Sequence, residues 1–560
     1  MFFKKYRLSE ISFILFYSIL IGIFTIFALS FIGFIFHISI NIFYPILGIL
    51  TSFITLFILE KKNKFSHKHI LCTSVILAAI YIISLLLAGH FYDYTFDGRY
   101  FRQLAVIFLG NGWNPITESA NQFANGFIAI ENIKTSDISW SLIWVESYTK
   151  FMEILSANFF VLTNHIECGK TVSFLSAFSL FFYSFHILNK KNFSEINIFI
   201  KIILSLLFVL NPIIFSQLVT YVNDGLVCIY FILILFALID IETDNDYSVL
   251  PWSIILMSSV ILINIKFGGY LYFLVTILIY CIYLCIFKQI KRLKKTSITF
   301  IIIILLGLLS GINPYITNVK QNHHFLYPLA GKEKIDVVNH LFPMTYWNKS
   351  ALYKYFISTF SATNYPPYKD KTYKPKLKLP FFVYKHELQQ MNAQTILGGF
   401  GVFWSGILLL SILLAASIRY KLSKDKKLAL LIFTIIIALT ILNPYSWWAR
   451  HSAHQWMFPI FASLFAIQNN NFKKIAYLII LIMIANSIIF TISSQKFERT
   501  YRKYVNNIEN KIIKVYALPE IEASIIQKFK EKNVDYKFVT EEYYKKIKKN
   551  FIMLRFVLKK

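Results

Sequence analysis

The stretch His90–Pro115, HFYDYTFDGRYFRQLAVIFLGNGWNP, decides how the chain is read. It interrupts an apolar sequence with two aspartates four residues apart, Asp93 and Asp97. Gly98, Arg99 and Arg102 follow, then an apolar piece with helical spacing, and Trp113-Asn114-Pro115 closes it. The flanking sequence reads as membrane. Of 560 residues, 56% are apolar, 18% aromatic and only 15% charged. Apolar runs of roughly 18 or more residues recur along most of the chain, the signature of a polytopic helical membrane protein. A soluble chain of this length divides into cores joined by polar linkers, and no such linker occurs before residue 495.

A formal net charge of +28 does not by itself imply a nucleic-acid partner. The basic residues sit mainly in the tail and in short loops between apolar runs, where they set topology. No nucleic-acid binding is expected. Cys72, Cys168, Cys228, Cys281 and Cys285 form no CxxC pair, so neither a zinc site nor a disulfide framework is suggested. The first apolar run lacks a small-residue cleavage site and leads into a second, so no cleavable signal peptide is expected.

Residues 1–89 carry three expected spans, at 11–36, 42–59 and 70–88. Lys4, Lys5 and Arg7 precede the first, and the basic loop EKKNKFSHKH joins the second to the third. Both belong on the cytoplasmic side, which puts the motif on the outer side. Residues 90–169 form a first outer loop with two amphipathic stretches, 99–109 and 144–162, suited to lying along a membrane surface. Glu146 and Glu153 are a heptad apart and read as a polar face of the second stretch. Residues 170–312 form a transmembrane core with spans at 171–188, 199–215, 226–239, 252–265, 270–287 and 298–312. A second outer loop occupies 313–395. Residues 396–493 add spans at 396–418, 428–442, 456–467 and 476–492. Residues 494–560 read as a small soluble basic α/β tail of strand, helix and strand, placed outside by span parity. The expected fold is thus an all-α polytopic bundle of about 13 transmembrane helices with two large outer loops. An inverted-repeat transporter is not expected to place nearly all its polar mass on one face.

The chemistry centres on Asp93 and Asp97. A spacing of four puts both carboxylates on one face of a helix or a strand. Where a span meets the outer loop, water thins out, and a carboxylate whose pKa rises there can serve as a base toward an alcohol. The plainer reading is a solvated pair or a helix cap.

With these motifs in view, the chain resembles the GT-C class of membrane glycosyltransferases, which includes protein O-mannosyltransferases and the bacterial enzymes that place aminoarabinose on lipid A. D-x-x-x-D-G-x-x-[YF] followed by GWNP is similar to a bacterial subgroup related to that class. Asp93, Asp97, Gly98, Gly112, Trp113, Asn114 and Pro115 carry the likeness. A Tyr-His pair that follows the Asp-Gly in that subgroup is replaced here by Phe101-Arg102. Looser likeness extends to Asn211–Gly225, to Asn313–Asn318 with HHFLYPL, and to Trp447–Trp456.

The resemblance implies a sugar donor on a polyprenyl phosphate, an aspartate base in the first outer loop, inversion at the anomeric carbon, and a glycan or glycolipid acceptor. It also implies a bacterial inner membrane with the site on the periplasmic side. A lipid-phosphate leaving group calls for cationic hydrogen-bond donors. Arg99, Arg102, Lys266, His323, His324 and Arg450 are the candidates, with His451 beside the last. Lysine near a membrane is costly unless it snorkels or pairs, and tryptophans beside Arg450 suit an aromatic belt. Asp224, Trp113 and Asn114 are expected to support the site, Asp224 chiefly as a helix cap. No metal ligands are evident and no cofactor is expected, with a divalent metal left open. Two other readings stand beside this one. A polysaccharide polymerase or ligase would rely more on outer-loop arginines and histidines. A lipid-linked glycan flippase would require charges deep inside spans.

Overall fold

The structure is a computed structural model. It describes residues 5–131, 139–190, 193, 196–244, 249–367, 370–418, 423–468, 472–506, 513–515 and 519–538. The described residues are predominantly helical. It begins with α1 (Lys5–Ile35), α2 (Phe43–Lys62) and α3 (His67–His90). The first polar segment holds α4 (Gln103–Gly110), α5 (Ala120–Glu131), α6 (Ser139–Ser147) and α7 (Phe151–Thr163). Then come α8 (Thr171–Leu188), α9 (Ile198–Val209), α10 (Pro212–Gln217), α11 (Asp224–Asp244), α12 (Val249–Ile265), α13 (Phe267–Ile286) and α14 (Ile290–Ser310). The second polar segment holds α15 (Thr317–Asn322) and α16 (Ala351–Phe360). The chain continues through α17 (Trp404–Ser417), α18 (Ser423–Leu442), α19 (Met457–Ile467), α20 (Lys473–Asn506) and α21 (Pro519–Glu531).

Among the described residues, eight helices are long and apolar enough to cross a membrane: α1, α2, α3, α8, α11, α13, α14 and α20. The sequence led to an expectation of about thirteen spans. Four further apolar helices, α7, α9, α12 and α17, are shorter. A 12-residue helix such as α9 rises only ~18 Å, against ~30 Å of hydrocarbon. The shortening has visible causes. Asn211-Pro212 ends α9, and Asn211 Oδ1 accepts the Ile213 N–H at 3.0 Å to start α10. Gly398 and Gly401 adopt φ of +59° and +106°, so residues 396–403 turn before α17 begins. Residues 456–467 yield only the 11-residue α19.

α11 is the axis of the bundle. Every residue from Leu226 to Ile239 is buried, and α8, α12 and residues 449–456 pack around it. A helix apolar on all sides is stable only when wholly enclosed. α1 and α2 approach closely at Gly22 and Gly48, where a side chain would meet Ser52 and Ile26. At the periphery, α14 exposes Ile298, Ile301, Ile302, Leu305 and Leu309, a row suited to bilayer hydrocarbon rather than water.

Both large polar segments lie at one end of the bundle. Asn313 Nδ2 donates to Pro115 O and Glu146 Oε1, each at 2.9 Å, and Asn318 Nδ2 donates to Ser147 O at 3.0 Å. The expected 144–162 helix is in fact two helices, α6 and α7, so Glu146 and Glu153 do not share a face. The tail meets the same end. α20 continues to Asn506, past the expected boundary at 493, and α21 then folds back onto the first polar segment. Glu531 accepts the Ile166 N–H at 2.8 Å, and Lys528 Nζ lies 3.2 Å from Glu167 Oε1. Strands β1 (Ile513–Val515) and β2 (Tyr536–Phe538) pair in parallel around α21, with Ile513 opposite Tyr536. This strand–helix–strand piece is what is described of the expected tail, whose residues 539–560 lie outside the described residues.

Candidate functional site

The motif folds around Asp93. The chain leaves α3 extended at Phe91, and Asp93 Oδ1 accepts the Thr95 N–H at 2.8 Å and its hydroxyl at 2.6 Å. This is the local turn that aspartate favours. Asp93 Oδ2 accepts the Tyr221 N–H at 2.8 Å, which ties the motif to the segment before α11. Gly98 is required here, because a Cβ would collide with the Asp93 carboxylate. Asp93 is fully buried. Burial, and then the neighbouring Glu167 carboxylate, push its pKa above the ordinary range.

Asp97, one turn on, has another environment. Its side chain is 29% exposed and receives Arg450 Nη1 at 2.8 Å. It lines a cavity of about 570 Å³, within the ~300–1,000 Å³ range of ligand sites. The floor of the cavity combines Asp97, Arg102, Asp224, Lys266, Arg450 and His451. Its walls are aromatic: Phe96, Tyr100, Phe101, Trp140, Trp144, Tyr148, Tyr365 and Trp448. Residues from His340 and Asp336 close one side.

The charges form one network. Asp224, at the start of α11, is paired with Lys266 and lies 3.5 Å from His451 Nδ1. Arg450 bridges the two acids: its Nη1 binds Asp97, and its Nε stands 3.6 Å from Asp224 Oδ2. That second distance is too long for a hydrogen bond. Arg450 also lies over the Trp448 ring, 4.1 Å from its centroid. Arg102 pairs with Glu153 and donates to Asn223 Oδ1 at 3.0 Å, with its guanidinium over Phe101. Among the described residues, the buried Arg450 Nε, Arg102 Nε and His451 Nε2 have no hydrogen-bond partner. Buried unsatisfied polar groups cost ~1–3 kcal/mol each, so donors left open around a cavity mark a place for a ligand's acceptors.

Burial shifts two members of this network. Lys266, which joins α12 to α13, has its pKa lowered to about 8 by loss of water, partly offset by Asp224. His451 is held well below its usual value by burial and then by Lys266, so it is a neutral hydrogen-bonding group at neutral pH.

Of the other sequence candidates, none lines this cavity. Arg99 is buried under the tail, its guanidinium 5.0 Å from the Tyr501 ring centroid and its Nε donating to Thr95 O. His323 ends α15, and His324 Nδ1 accepts the Leu326 N–H at 3.1 Å. Trp113 is fully buried and donates to Glu118 O, while Asn114 donates to Phe34 O. Both brace the first polar segment. Asp224 does more than the capping expected of it, because it pairs with Lys266 and stands close to Arg450 and to the neutral His451. Sequence reasoning missed Tyr148, Trp144, Tyr365 and Asn223. No motif marked them, although the aromatic density of α6 was a usable signal. Among the described residues, no three His, Cys, Asp or Glu side chains gather so as to hold a metal ion.

No protein-family profile matches the chain, and neither curated proteins nor solved structures give a match.

Proposed function

We propose that the protein is an integral-membrane glycosyltransferase that moves a sugar from a polyprenyl-phosphate donor to a hydroxyl of a cell-surface glycan or glycolipid. The observation that carries this reading is the convergence of Asp97, Lys266, Arg450 and His451 on one aromatic-walled cavity at the end of the bundle that bears both polar segments. Aromatic faces suit sugar rings, and partly unsatisfied cationic donors suit a phosphate.

In the proposed step, Asp97 takes the proton of the acceptor hydroxyl, and the oxygen attacks the anomeric carbon from the face opposite the phosphate. The bond from that carbon to the phosphate oxygen breaks, its electron pair stays on the phosphate, and the configuration inverts. Arg450 couples donor and base. Its guanidinium holds Asp97. A bound phosphate competes for that guanidinium and frees the carboxylate to act as base. Asp97 rather than Asp93 takes this part, because Asp93 is fully enclosed and its oxygens are taken by backbone and hydroxyl donors. The site belongs on the outer face of a bacterial inner membrane, where lipid-linked sugars replace nucleotide donors.

The test compares envelope glycans and glycolipids of cells producing the wild-type chain or Asp97→Asn at equal levels, by mass spectrometry. Loss of one sugar modification in the variant is the expected outcome. Full modification by Asp97→Asn overturns the reading.

A further inference from the structure

A second cleft opens between α3, α8, α9, α10 and α20, with a volume of about 450 Å³. It shares no lining residue with the charged cavity. Its walls are almost wholly apolar, with Phe174, Phe178 and Phe181 along α8 facing Leu206, Val209 and Phe215. The eight residues from Phe174 to Phe181 give it a depth of ~10 Å along α8. Three of its walls are helices fit to cross a membrane. Leu87, which lines it, is exposed on α3, so the medium that reaches it is bilayer hydrocarbon.

One end of the cleft carries a feature that hydrocarbon does not explain. Glu498 lines it and is 2% exposed, and Glu498 Oε2 has no hydrogen-bond partner among the described residues. Glu498 Oε1 accepts the Tyr92 N–H at 3.4 Å, and Arg502 Nε stands 3.6 Å from it. A carboxylate aimed into an apolar cleft calls for a hydrogen-bond donor, favourably a cation. Arg502, part-buried beside it, contacts His90 Nε2 through Nη1 and lies over the Phe91 ring, so an acid and a base stand side by side at this end of the cleft.

We propose that this cleft is a lipid site that holds one acyl chain of a phospholipid with an ethanolamine head, its ammonium on Glu498 and its phosphate toward Arg502. The juxtaposed acid and base match a zwitterion. A choline head carries the charge but no N–H to donate. A glycerol head has donors but no positive charge. The inference does not depend on the transferase reading, since occupancy requires no turnover.

The test uses the full chain in bilayer nanodiscs doped with phospholipids that carry a photoreactive diazirine in the acyl chain, with ethanolamine, choline or glycerol heads. Adducts are mapped by peptide mass spectrometry. Ethanolamine lipid is expected to label residues 174–181 and 206–219 about tenfold above the other two, the margin of one charge-assisted hydrogen bond. Glu498→Gln removes that margin, and Ala177→Trp, which fills the cleft, removes the labelling. Equal labelling by the three lipids overturns the proposal. So does labelling unchanged in Glu498→Gln, a variant that keeps the side chain's shape and guards against misfolding of Ala177→Trp.

Discussion

Asp93 and Asp97 are four residues apart and physically unlike. Asp93 satisfies the Tyr221 N–H, the Thr95 N–H and the Thr95 hydroxyl. Asp93→Ala therefore strands buried donors at ~1–3 kcal/mol each. It is expected to lower the melting temperature in detergent, as read by tryptophan fluorescence. Asp97→Asn touches none of these contacts and keeps an oxygen that can accept from Arg450, so it is expected to lower the melting temperature less than Asp93→Ala while reducing transfer ~10²–10⁴-fold. The sequence showed the pair but could not separate its members. Their difference comes from Tyr221, far along the chain, and from Gly98, which allows close approach. Lys266 supplies a pH test. Its pKa of about 8 lies below the ordinary 10.5, so between those values the folded state binds fewer protons than the unfolded one. The contribution of Lys266 to folding thus becomes more favourable as pH rises through that window, so deprotonation of this lysine does not unfold the chain there. Transfer is expected to fall above pH about 8 as the lysine loses its charge. In Lys266→Arg, which stays charged, the basic limb should disappear from a rate profile measured to pH 9.5, a value chosen as roughly midway in that window. A limb unchanged in Lys266→Arg would remove Lys266 from the mechanism.

At the scale of elements, α21 is a clasp on the first polar segment. Lys528 is 3% exposed and reaches Glu167, Gln103 and Tyr501 from a single helix. Breaking a buried charge pair from one side costs ~3–5 kcal/mol. Glu167 keeps Lys170 as a second partner, so Lys528→Ala is expected at the low end, near 3 kcal/mol. Faster proteolysis of the tail than in wild type is the readout, and an unchanged cleavage rate would contradict the clasp. The strand, helix and strand character of the tail was legible from its alternation and periodicity. Its docking was not, because Lys528 reads as one of many surface lysines. The same limit explains Arg99. Its place beside the aspartates suggested phosphate binding, but Tyr501 of α20 covers it. The break between α6 and α7 at residues 148–150 was likewise hidden, since the apolar spacing runs straight through it.

For the whole molecule, hydropathy sufficed to read a helical membrane protein, and eight helices satisfy the length and apolarity that crossing demands. Helix count was less legible. Apolar composition does not distinguish a span from a short buried helix: among the described residues, α11 is enclosed on all sides though long enough to span, and the 11-residue α19 is nearly so. The convergence of the two polar segments at one end predicts a simple topology. In a background with the five native cysteines replaced, Lys374→Cys should react with an impermeant maleimide on intact spheroplasts. Lys64→Cys, in the exposed α2–α3 loop, should react only after permeabilisation. Reaction of both from the same side would overturn the placement of the cavity. The most direct measurement of the central claim is release of polyprenyl phosphate by the purified chain in nanodiscs, supplied with polyprenyl-phosphate sugars and envelope glycolipids and followed by mass spectrometry. Stoichiometric release of polyprenyl phosphate and formation of glycosylated acceptor are expected with the wild type, and neither above background with Asp97→Asn or Arg450→Ala. Equal release by wild type and both variants would contradict the claim.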